Sequence, residues 1–489
     1  MSLSRVQLVC TIFCLQHFLT PLSGQKSRLP GHGRPFGEHM KPMGLTTIGR
    51  FSSPHVFYGH FVKASKPIHM KSALTEANHP GLEWTDAFLR NRYGKEMVRV
   101  EVGKMEVRSR KAHWMRMDKF LKDYLHSDLY MVHSVSGRLK DLVLIPPTLQ
   151  CGGYQRAMQE AVVWMGKGPL RSVLHYDEVD NLLCVFDGTK DVVLIDKFYK
   201  EKVEANGFVQ DGHYSTVDME KVDMHSFPQF QNLPWYRVHL AAGDCVYIPY
   251  RWYHQVTSQG DRSLAVNIWF ARLWWFDDDD CTGFGSSHTL EPLDDYGFAS
   301  PNEAVRSQWL EAFEGADDDV DLADFLGRVS SGTQEHRRKV HQLIDKDQDG
   351  MLAWIELYDF DISKALPLYP DVFMLSADPS GGNATQSVHG DQETSKAEKE
   401  HEAKIVQVDM EEEVDDKVQT ETGAVIVDKE EDDDEKMKDK HEEKEKGFET
   451  RAEDEKEKLE VGLKTQEDEN EKLDQKEDSG YVHSNREEL

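Results

Sequence analysis

The chain has 489 residues, which is enough for one large core domain with accessory segments. Its formal net charge is −30 at pH 7, and we expect no nucleic acid among its partners. The six cysteines include no CxxC pair, so the sequence does not indicate a thiol-exchange enzyme.

Residues 1–24 have the composition of a secretory signal peptide. Arg5 provides a short basic region, residues 6–19 are mostly apolar, and Ser23 and Gly24 are small residues at the expected cleavage position. The apolar run is short for a membrane span, and an uncleaved anchor stays open as the alternative. No other stretch approaches a spanning length, so we expect no membrane insertion after signal cleavage.

Residues 25–145 are predicted to contain a leader followed by helices and strands. Residues 25–55 are rich in Gly, Pro and basic residues and predict a flexible leader. Apolar spacing predicts helices over residues 84–93 and 114–125, with a strand over residues 97–102 between them. The short apolar run at 142–145 precedes two prolines and is expected to lead into a β-domain.

The stretch from residue 171 to residue 196 carries the first candidate metal ligands. His175 and Asp177 are two positions apart, a spacing that places both side chains on one face of a strand. Apolar runs follow on both sides of Asp187 and Gly188, a pattern that predicts a hairpin. Lys190 lies just beyond this predicted turn, where a surface lysine is the simple interpretation.

The stretch from residue 243 to residue 269 carries a third candidate ligand, His254. Two histidines and one carboxylate can form the facial triad of a non-haem Fe(II) oxygenase, which leaves the opposite metal positions open. A single His-x-Asp pair is weak evidence, because a histidine on an apolar strand is more often a core residue.

The combined motifs resemble those of the JmjC-domain 2-oxoglutarate oxygenases, and among these the asparaginyl hydroxylase that inhibits the hypoxia-inducible factor. The resemblance covers roughly residues 84–275, and a domain over residues 56–276 is predicted from it. The matching residues are His175, Tyr176, Asp177, Glu178, Asn181, Gly188 and Lys190 in the first motif and Gly243, Asp244, Tyr247, Ile248, Pro249, Trp252, His254, Val266, Asn267 and Trp269 in the second.

This resemblance implies a fold, a chemistry and a set of roles. The fold is mainly β: a double-stranded β-helix, or jelly-roll, with an N-terminal helical preface. The triad would bind Fe(II), and Lys190 would bind the distal carboxylate of 2-oxoglutarate. Three polar residues would surround the co-substrate: Ser172, Asn181 and Asn267. Tyr124 and Tyr130 are both candidates for a further co-substrate contact, and Trp252 and Trp269 are expected to serve packing.

Four cysteines remain after removal of the signal: Cys151, Cys184, Cys245 and Cys281. An even number suits an oxidising compartment, and four cysteines allow three pairings between which the sequence does not choose. Cys184 and Cys245 lie in predicted strands, where unpaired buried thiols are the alternative.

Residues 345–356 match the twelve-residue EF-hand calcium loop, within an α-helical module predicted over residues 300–370. Gly350 falls at the sharp turn, and Leu352 takes the apolar position eight. The expected ligands are Asp345, Asp347, Asp349, the backbone carbonyl of Met351 and Glu356. Residues 313–324 resemble a degenerate partner loop that lacks the first side-chain ligands.

The remaining residues, 376–489, are predicted to form a disordered acidic tail. Residues 391–489 contain 38 Asp and Glu against 17 Lys and Arg, which contributes −21 to the net charge. Asn383 begins a glycosylation sequon, which an unmodified chance match would also explain. The last four residues, Arg-Glu-Glu-Leu, resemble a KDEL-type signal and imply a retrieval receptor and the endoplasmic reticulum lumen.

These patterns favour a lumenal Fe(II)- and 2-oxoglutarate-dependent dioxygenase that uses O₂ to hydroxylate a side chain of a protein or peptide, with Ca²⁺ bound by an EF-hand. The alternative is a non-catalytic calcium-binding chaperone or buffer that keeps the barrel as a scaffold. Lysine demethylation is a third hypothesis, which the expected lumenal location disfavours.

Overall fold

The computed structural model describes residues 29–373, apart from 109, 111, 283–288 and 317–318. The predicted signal peptide, the sequon at Asn383, the acidic tail and the C-terminal tetrapeptide all lie outside the described residues. Among the described helices, none is both long and apolar enough to cross a membrane.

The described residues form eighteen strands, fourteen of them in one large sheet. They are β1 Thr46–Ile48, β2 Ile68–Met70, β3 Met97–Val102, β4 His113–Arg116, β5 Leu129–Ser134, β6 Leu144–Ile145, β7 Met158–Gly166, β8 Leu170–Arg171, β9 Leu174–His175, β10 Asp180–Ile195, β11 Phe208–Val209, β12 Tyr214–Ser215, β13 Tyr236–Ala241, β14 Cys245–Ile248, β15 Tyr253–Phe270, β16 Glu291–Pro292, β17 Asp319–Asp321 and β18 Met351–Ala353.

Twelve α-helices accompany the strands within the described residues. They are α1 Pro54–Phe57, α2 Ala73–Glu76, α3 Asp86–Tyr93, α4 Met117–Asp123, α5 Tyr154–Ala157, α6 Lys200–Val203, α7 Pro301–Leu310, α8 Leu322–Arg328, α9 Gln334–Ile344, α10 Trp354–Asp359, α11 Ile362–Leu368 and α12 Pro370–Phe373.

The fold is a large and mostly antiparallel β-structure, as expected for a jelly-roll. The sheet order is β1-β2-β14-β10-β15-β7-β5-β3-β4, with short strands attached beside this path. Its centre is the pair of long strands β10 and β15, which lie side by side along almost their whole length. The first half of β10 also pairs with β14, and its second half pairs with β13.

The predicted hairpin at Asp187 and Gly188 is wrong. Strand β10 continues through these residues, and the register against β15 shifts on each side of Asp187, which identifies a β-bulge. Gly188 has φ +72°, and a Cβ there would lie 2.4 Å from the carbonyl oxygen of Arg262. Only glycine fits this close approach, so a turn residue in the sequence here marks a bulge.

Two local predictions upstream need correction. Residues 29–53 are not a loose leader: Thr46–Ile48 pairs with Ile68–Met70, and Phe36 is buried against Phe230 and Trp235. Strand pairing and the burial of Phe36 hold this segment against the domain, although its Gly and Pro content alone predicted a flexible leader. The predicted helix at 114–125 is in part the strand β4, because residues 113–116 pair with β3 before α4 begins.

Two disulfides settle the cysteine pairing. Cys184 and Cys245 lie directly opposite each other on β10 and β14, and Cys151 bonds to Cys281 across 130 residues of chain. All four cysteines outside the predicted signal peptide are therefore paired. Closing so long a loop limits the unfolded chain and stabilises the fold, by several kcal/mol in the chain-entropy view.

The C-terminal module, residues 300–373, has its own apolar core around Trp309, Phe313, Phe325 and Leu357. Its two helix–loop–helix units meet through strands β17 and β18, where Val320 faces Leu352. The module contacts the β-domain directly: the Trp274 indole donates to the Ser307 carbonyl, and the Tyr358 hydroxyl accepts from the Trp274 amide.

Candidate metal centre

Three candidate ligands converge at one point of the β-domain. His175 at the end of β9 lies directly opposite His254 on β15, and their ring centroids are 4.3 Å apart. Asp177 Oδ1 is 3.8 Å from His175 Nε2, and Asp177 Oδ2 is 3.5 Å from His254 Nε2. One ligand atom of each residue lies within 4.8 Å of the other two, a spacing that one metal ion can bridge.

The backbone sets the orientation of both imidazoles. His175 Nδ1 lies 2.8 Å from the Val173 carbonyl, and His254 Nδ1 lies 3.0 Å from the Trp252 carbonyl. A carbonyl oxygen only accepts, so each Nδ1 carries the proton and each Nε2 keeps its lone pair. Outer hydrogen bonds of this kind fix the tautomer of metal-binding histidines.

Burial also keeps the two imidazoles neutral. Desolvation lowers the pKa of His175, and it lowers the pKa of His254 to about 4. A neutral imidazole is the form that coordinates a metal. The triad therefore presents two nitrogen donors and one carboxylate at neutral pH, the donor set that suits Fe(II).

Asp177 does not share a strand with His175, as the two-residue spacing predicted. Strand β9 ends at His175, and Asp177 lies in the turn that follows. Its backbone carbonyl accepts a 3.0 Å bond from the Arg251 amide. This bond, and not the pleat of a strand, brings the carboxylate to the imidazoles.

The triad opens into a cavity of about 170 Å³. All four residues assigned to the co-substrate by resemblance line it: Ser172, Asn181, Lys190 and Asn267. Further lining residues include Tyr130, one of the two tyrosine candidates, and Trp164, Ser258 and Trp269, for which no co-substrate contact was predicted. The fold thus brings the predicted residues together in one cavity, and they form only part of its wall.

Lys190 is the one cationic side chain buried deep in this cavity. Only 2% of it is exposed, and Nζ donates a 2.7 Å bond to Ser258 Oγ. Its flanking carboxylates point elsewhere, since Asp187 pairs with Arg262 and Asp191 pairs with Arg237. In the described part of the chain no carboxylate pairs with Lys190, and burial lowers its pKa to about 7.

Other residues that line the cavity also have buried polar atoms without a hydrogen-bond partner. The indole nitrogens of Trp164 and Trp269 and Oδ1 of Asn267 are buried without a hydrogen bond. Asn267 Nδ2 donates to Asn181 Oδ1 at 2.9 Å. Buried polar groups are normally satisfied, so this set fits a polar small molecule bound beside the metal.

Of the two candidate tyrosines, Tyr130 lines the cavity together with Ser258, whereas the Tyr124 hydroxyl donates to Asp86. A sequence signal for Ser258 existed: His254, Val256 and Ser258 alternate along β15 and all line the cavity. Trp252 packs in the core as expected, but Trp269 belongs to the cavity wall.

The loop Asp345–Glu356 in the C-terminal module brings three carboxylates together. Ligand atoms of Asp345, Asp347 and Asp349 lie within 4.8 Å of one another. Gly350 adopts φ +86°, and Asp345 Oδ1 is buried without a partner. Glu356 stands apart from this cluster, because its carboxylate accepts bonds from the Lys346 and Ala353 amides at 2.8 and 3.0 Å.

The substitution Lys190→Met is expected to stabilise the protein measured without metal or 2-oxoglutarate. Burial lowers the pKa of Lys190 to about 7 from the ordinary lysine value of 10.5. Below pH 7 both folded and unfolded chains carry the proton, and the full cost of the buried charge is present. Between pH 7 and 10.5 only the unfolded chain keeps it, so stability rises with pH.

The variant's advantage is therefore greatest at or below pH 7 and shrinks as the pH approaches 10. Melting temperatures across this range would test it, with a shift of roughly 2–4 °C for each kcal/mol gained. A variant less stable than the parent at pH 7 would contradict the buried, unpaired state of Lys190.

Comparisons with known proteins agree with this architecture. Residues 54–274 match the family described as Cupin-like domain. The chain is similar to Jumonji C domain-containing protein 5 of Drosophila melanogaster (28% identity; 22% of this chain, 26% of that protein). It is also similar to lysine-specific demethylase 8 of Xenopus tropicalis (23%; 46% and 53%) and to human tRNA wybutosine-synthesizing protein 5 (29%; 27% and 37%).

The chain spans between about a quarter and a half of the length of these relatives. The family match covers residues 54–274, so it contains His175, Asp177 and His254 and ends before the C-terminal module. Residues 54–274 are therefore similar to the Cupin-like domain family, and the matched relatives include a protein named for a Jumonji C domain.

Proposed function

We propose that the protein is an Fe(II)- and 2-oxoglutarate-dependent dioxygenase that hydroxylates a protein side chain. The observation that carries this proposal is the buried Lys190 ammonium in the same cavity as the His175, Asp177 and His254 triad. A buried cation without a carboxylate is costly, and an acidic small molecule bound beside a metal removes that cost.

The charge and position of each residue in the cavity indicate its role in the proposed reaction. The triad would hold Fe(II), while Lys190, Ser258 and Tyr130 would bind the distal carboxylate of 2-oxoglutarate. Bound together, these groups supply the chemistry in which O₂ oxidises a C–H bond to C–OH and 2-oxoglutarate becomes succinate and CO₂. Asn181, Asn267 and Ser172 would orient the co-substrate, and the apolar wall around them limits access of water.

The rim of the cavity favours a peptide as the hydroxylated substrate. Val102, Met105 and Val107 line its mouth and are 39–56% exposed. Arg108, Arg110 and Arg171 lie beside them. Backbone bonds of about 3 Å between residues 104–106 and Arg171 hold this edge next to strand β8. Arg108 pairs with Glu106 and Arg171 pairs with Glu220, so the apolar side chains are what suits this edge to an extended peptide.

One other activity, lysine demethylation, is a possible outcome of the same experiment. Matched relatives carry the names lysine-specific demethylase 8 and tRNA wybutosine-synthesizing protein 5. Demethylation differs from hydroxylation mainly in which C–H bond reaches the metal. The resemblance to the asparaginyl hydroxylase and the expected lumenal location favour the hydroxylase. A non-catalytic calcium-binding scaffold is disfavoured by the intact triad and Lys190.

Turnover can be tested with the full chain, Fe(II), 2-oxoglutarate and extract of lumenal proteins. We expect succinate and a protein product with one added oxygen, detected by mass spectrometry. Asp177→Ala removes one of three metal ligands and should abolish turnover while the circular dichroism spectrum is retained. The matched control is Asp191→Ala, a carboxylate on the outer face of β10 that pairs with Arg237.

Full activity of Asp177→Ala would remove the oxygenase assignment. A product that has lost a methyl group would identify a demethylase instead.

We propose that the loop Asp345–Glu356 binds Ca²⁺ as an EF-hand. The carboxylates of Asp345, Asp347 and Asp349 and the carbonyl of Met351 would coordinate the ion, with Glu356 releasing its amide bonds to act as the bidentate ligand. The pairing of Val320 with Leu352 and the buried, unpartnered Oδ1 of Asp345 support this assignment.

Glu356→Gln should weaken Ca²⁺ binding about tenfold or more and reduce the calcium-dependent rise in melting temperature, because it removes the bidentate charge. Calorimetry on the full chain measures both quantities. Glu335→Gln, an exposed residue on α9, is the matched control. A parent protein without saturable Ca²⁺ binding, or equal affinity in Glu356→Gln, would refute the assignment.

We also propose that the protein resides in the endoplasmic reticulum lumen and is glycosylated at Asn383. The signal-like N-terminus, the C-terminal tetrapeptide and the pairing of Cys184 with Cys245 and of Cys151 with Cys281 support a lumenal chain. A retrieval receptor for the tetrapeptide would then be a partner.

Deleting residues 486–489 should move the protein from the cell into the medium, because retrieval depends on this tetrapeptide. Immunoblots of cells and medium measure the change, and a variant with a deletion of equal length inside the acidic tail is the control. Nuclear staining of the tagged full-length protein would show that both terminal signals are misinterpreted.

A further inference from the structure

The turn Pro249–Tyr250–Arg251–Trp252 joins two of the three metal ligands. The Arg251 amide donates to the Asp177 carbonyl at 3.0 Å, and the Trp252 carbonyl is the acceptor for His254 Nδ1 at 3.0 Å. A displacement of this turn would therefore move the Asp177 backbone and the His254 ring together.

The conformation of this turn is strained. Arg251 has φ +61°, in the left-handed region that is unfavourable for a residue with a Cβ. Such residues persist where the surrounding structure holds them, and they concentrate at functional sites. The Trp252 amide to Pro249 carbonyl bond, 3.0 Å, closes the turn, and the Tyr250 amide donates to the buried Asp180 carboxylate at 2.8 Å.

The Arg251 side chain supplies an anchor outside the barrel. Its Nη2 donates to Glu178 Oε1 at 3.1 Å, beside the ligand Asp177. Its Nη1 donates to both oxygens of Glu311, at 3.1 and 3.2 Å, and Glu311 belongs to the C-terminal module. The guanidinium also lies over the Tyr250 ring, 4.7 Å from its centroid.

A second bond from the module completes the arrangement. Gln308 Nε2 on helix α7 donates to Glu178 Oε2 at 2.9 Å. The side chains of Glu178, Arg251 and Glu311 are only 29–34% exposed, so these bonds are less screened than ordinary surface ion pairs. Glu178 is thus held from two sides, by the strained turn and by the module.

We infer that Arg251 is a positioning residue that makes the C-terminal module part of the metal centre. The module holds the guanidinium through Glu311, the guanidinium holds the turn, and the turn holds Asp177 and His254. The identity of the metal rests on the proposed function, whereas the coupling rests on the bonds themselves. This assigns a role in iron binding to residues that lie outside the matched cupin-like region.

The test uses the full chain and Co(II), which replaces Fe(II) without oxidation and reports its coordination by visible absorption. Glu311→Gln removes the module's charge from Arg251 and keeps the side-chain volume. We expect Co(II) affinity to fall about tenfold, the lower end of what loss of an outer-shell partner costs, with an altered absorption band. Arg251→Lys keeps the charge but loses the two-sided contact, and we expect a similar loss.

Glu335→Gln is the matched control, because it breaks an ion pair with Lys339 in the same module away from the barrel. It should bind Co(II) like the parent. Gln308→Ala cuts the second bond independently and should weaken binding about threefold, in line with the loss of one partly exposed hydrogen bond to a charge. Melting temperatures of the metal-free proteins identify any variant whose module has unfolded.

The outcomes separate this inference from the proposed function. Parent-like Co(II) affinity and spectrum in both Glu311→Gln and Gln308→Ala would overturn the coupling and leave the oxygenase proposal intact. Co(II) binding by the parent that does not change in His254→Ala would overturn the metal centre itself, and the coupling with it. Retained Co(II) affinity together with failure to oxidise 2-oxoglutarate would overturn only the proposed reaction.

Discussion

The β-bulges in the two long central strands decide which side chains reach the interior of the barrel. Along a regular strand, alternate residues point to the same face. Asn181 and Leu183 line the cavity on β10, and regular alternation would then turn Lys190 outward. The irregular register around Asp187 and Gly188 reverses the alternation, so Lys190 lines the cavity with them.

Strand β15 carries a matching irregularity. His254, Val256 and Ser258 line the cavity on one side of it, and Asn267 and Trp269 line it on the other, although 258 and 267 differ by an odd number. Gly188 and Gly260 adopt positive φ where the register of the two strands changes. Arg262 stabilises this part of the sheet through ion pairs with Asp187 and Asp86. The candidate metal triad and the buried lysine share one cavity because the alternation of side chains changes at the same level in both strands.

The metal centre depends on backbone groups as much as on its ligands. Carbonyls of Val173 and Trp252 set the two imidazoles, and the Arg251 amide sets the turn that carries Asp177. This arrangement places the coordinating atoms before any ion binds, which lowers the reorganisation that binding requires. The disulfide between Cys184 and Cys245 fixes β14 to β10 immediately before the same turn.

The sequence by itself determined which metal-binding side chains this protein has and in what order they occur. Ligand types and order were legible in His175, Asp177 and His254, and the acidic loop with Gly350 and Glu356 followed a restrictive pattern. Residue identity carries that information, because only certain donors bind a given metal. The β-rich character of the domain was equally evident from short apolar runs between turn residues.

Tertiary structure decided where those residues point and what supports them. Gly188 is compatible with a hairpin turn or a bulge, and only the pairing of β10 with β15 distinguishes them. The two disulfides and the Arg251–Glu311 contact each join residues that are 60 or more positions apart in the chain. No local sequence pattern encodes contacts over such separations. Local sequence fixes which groups are available, whereas the long-range packing of strands and module fixes which of them meet.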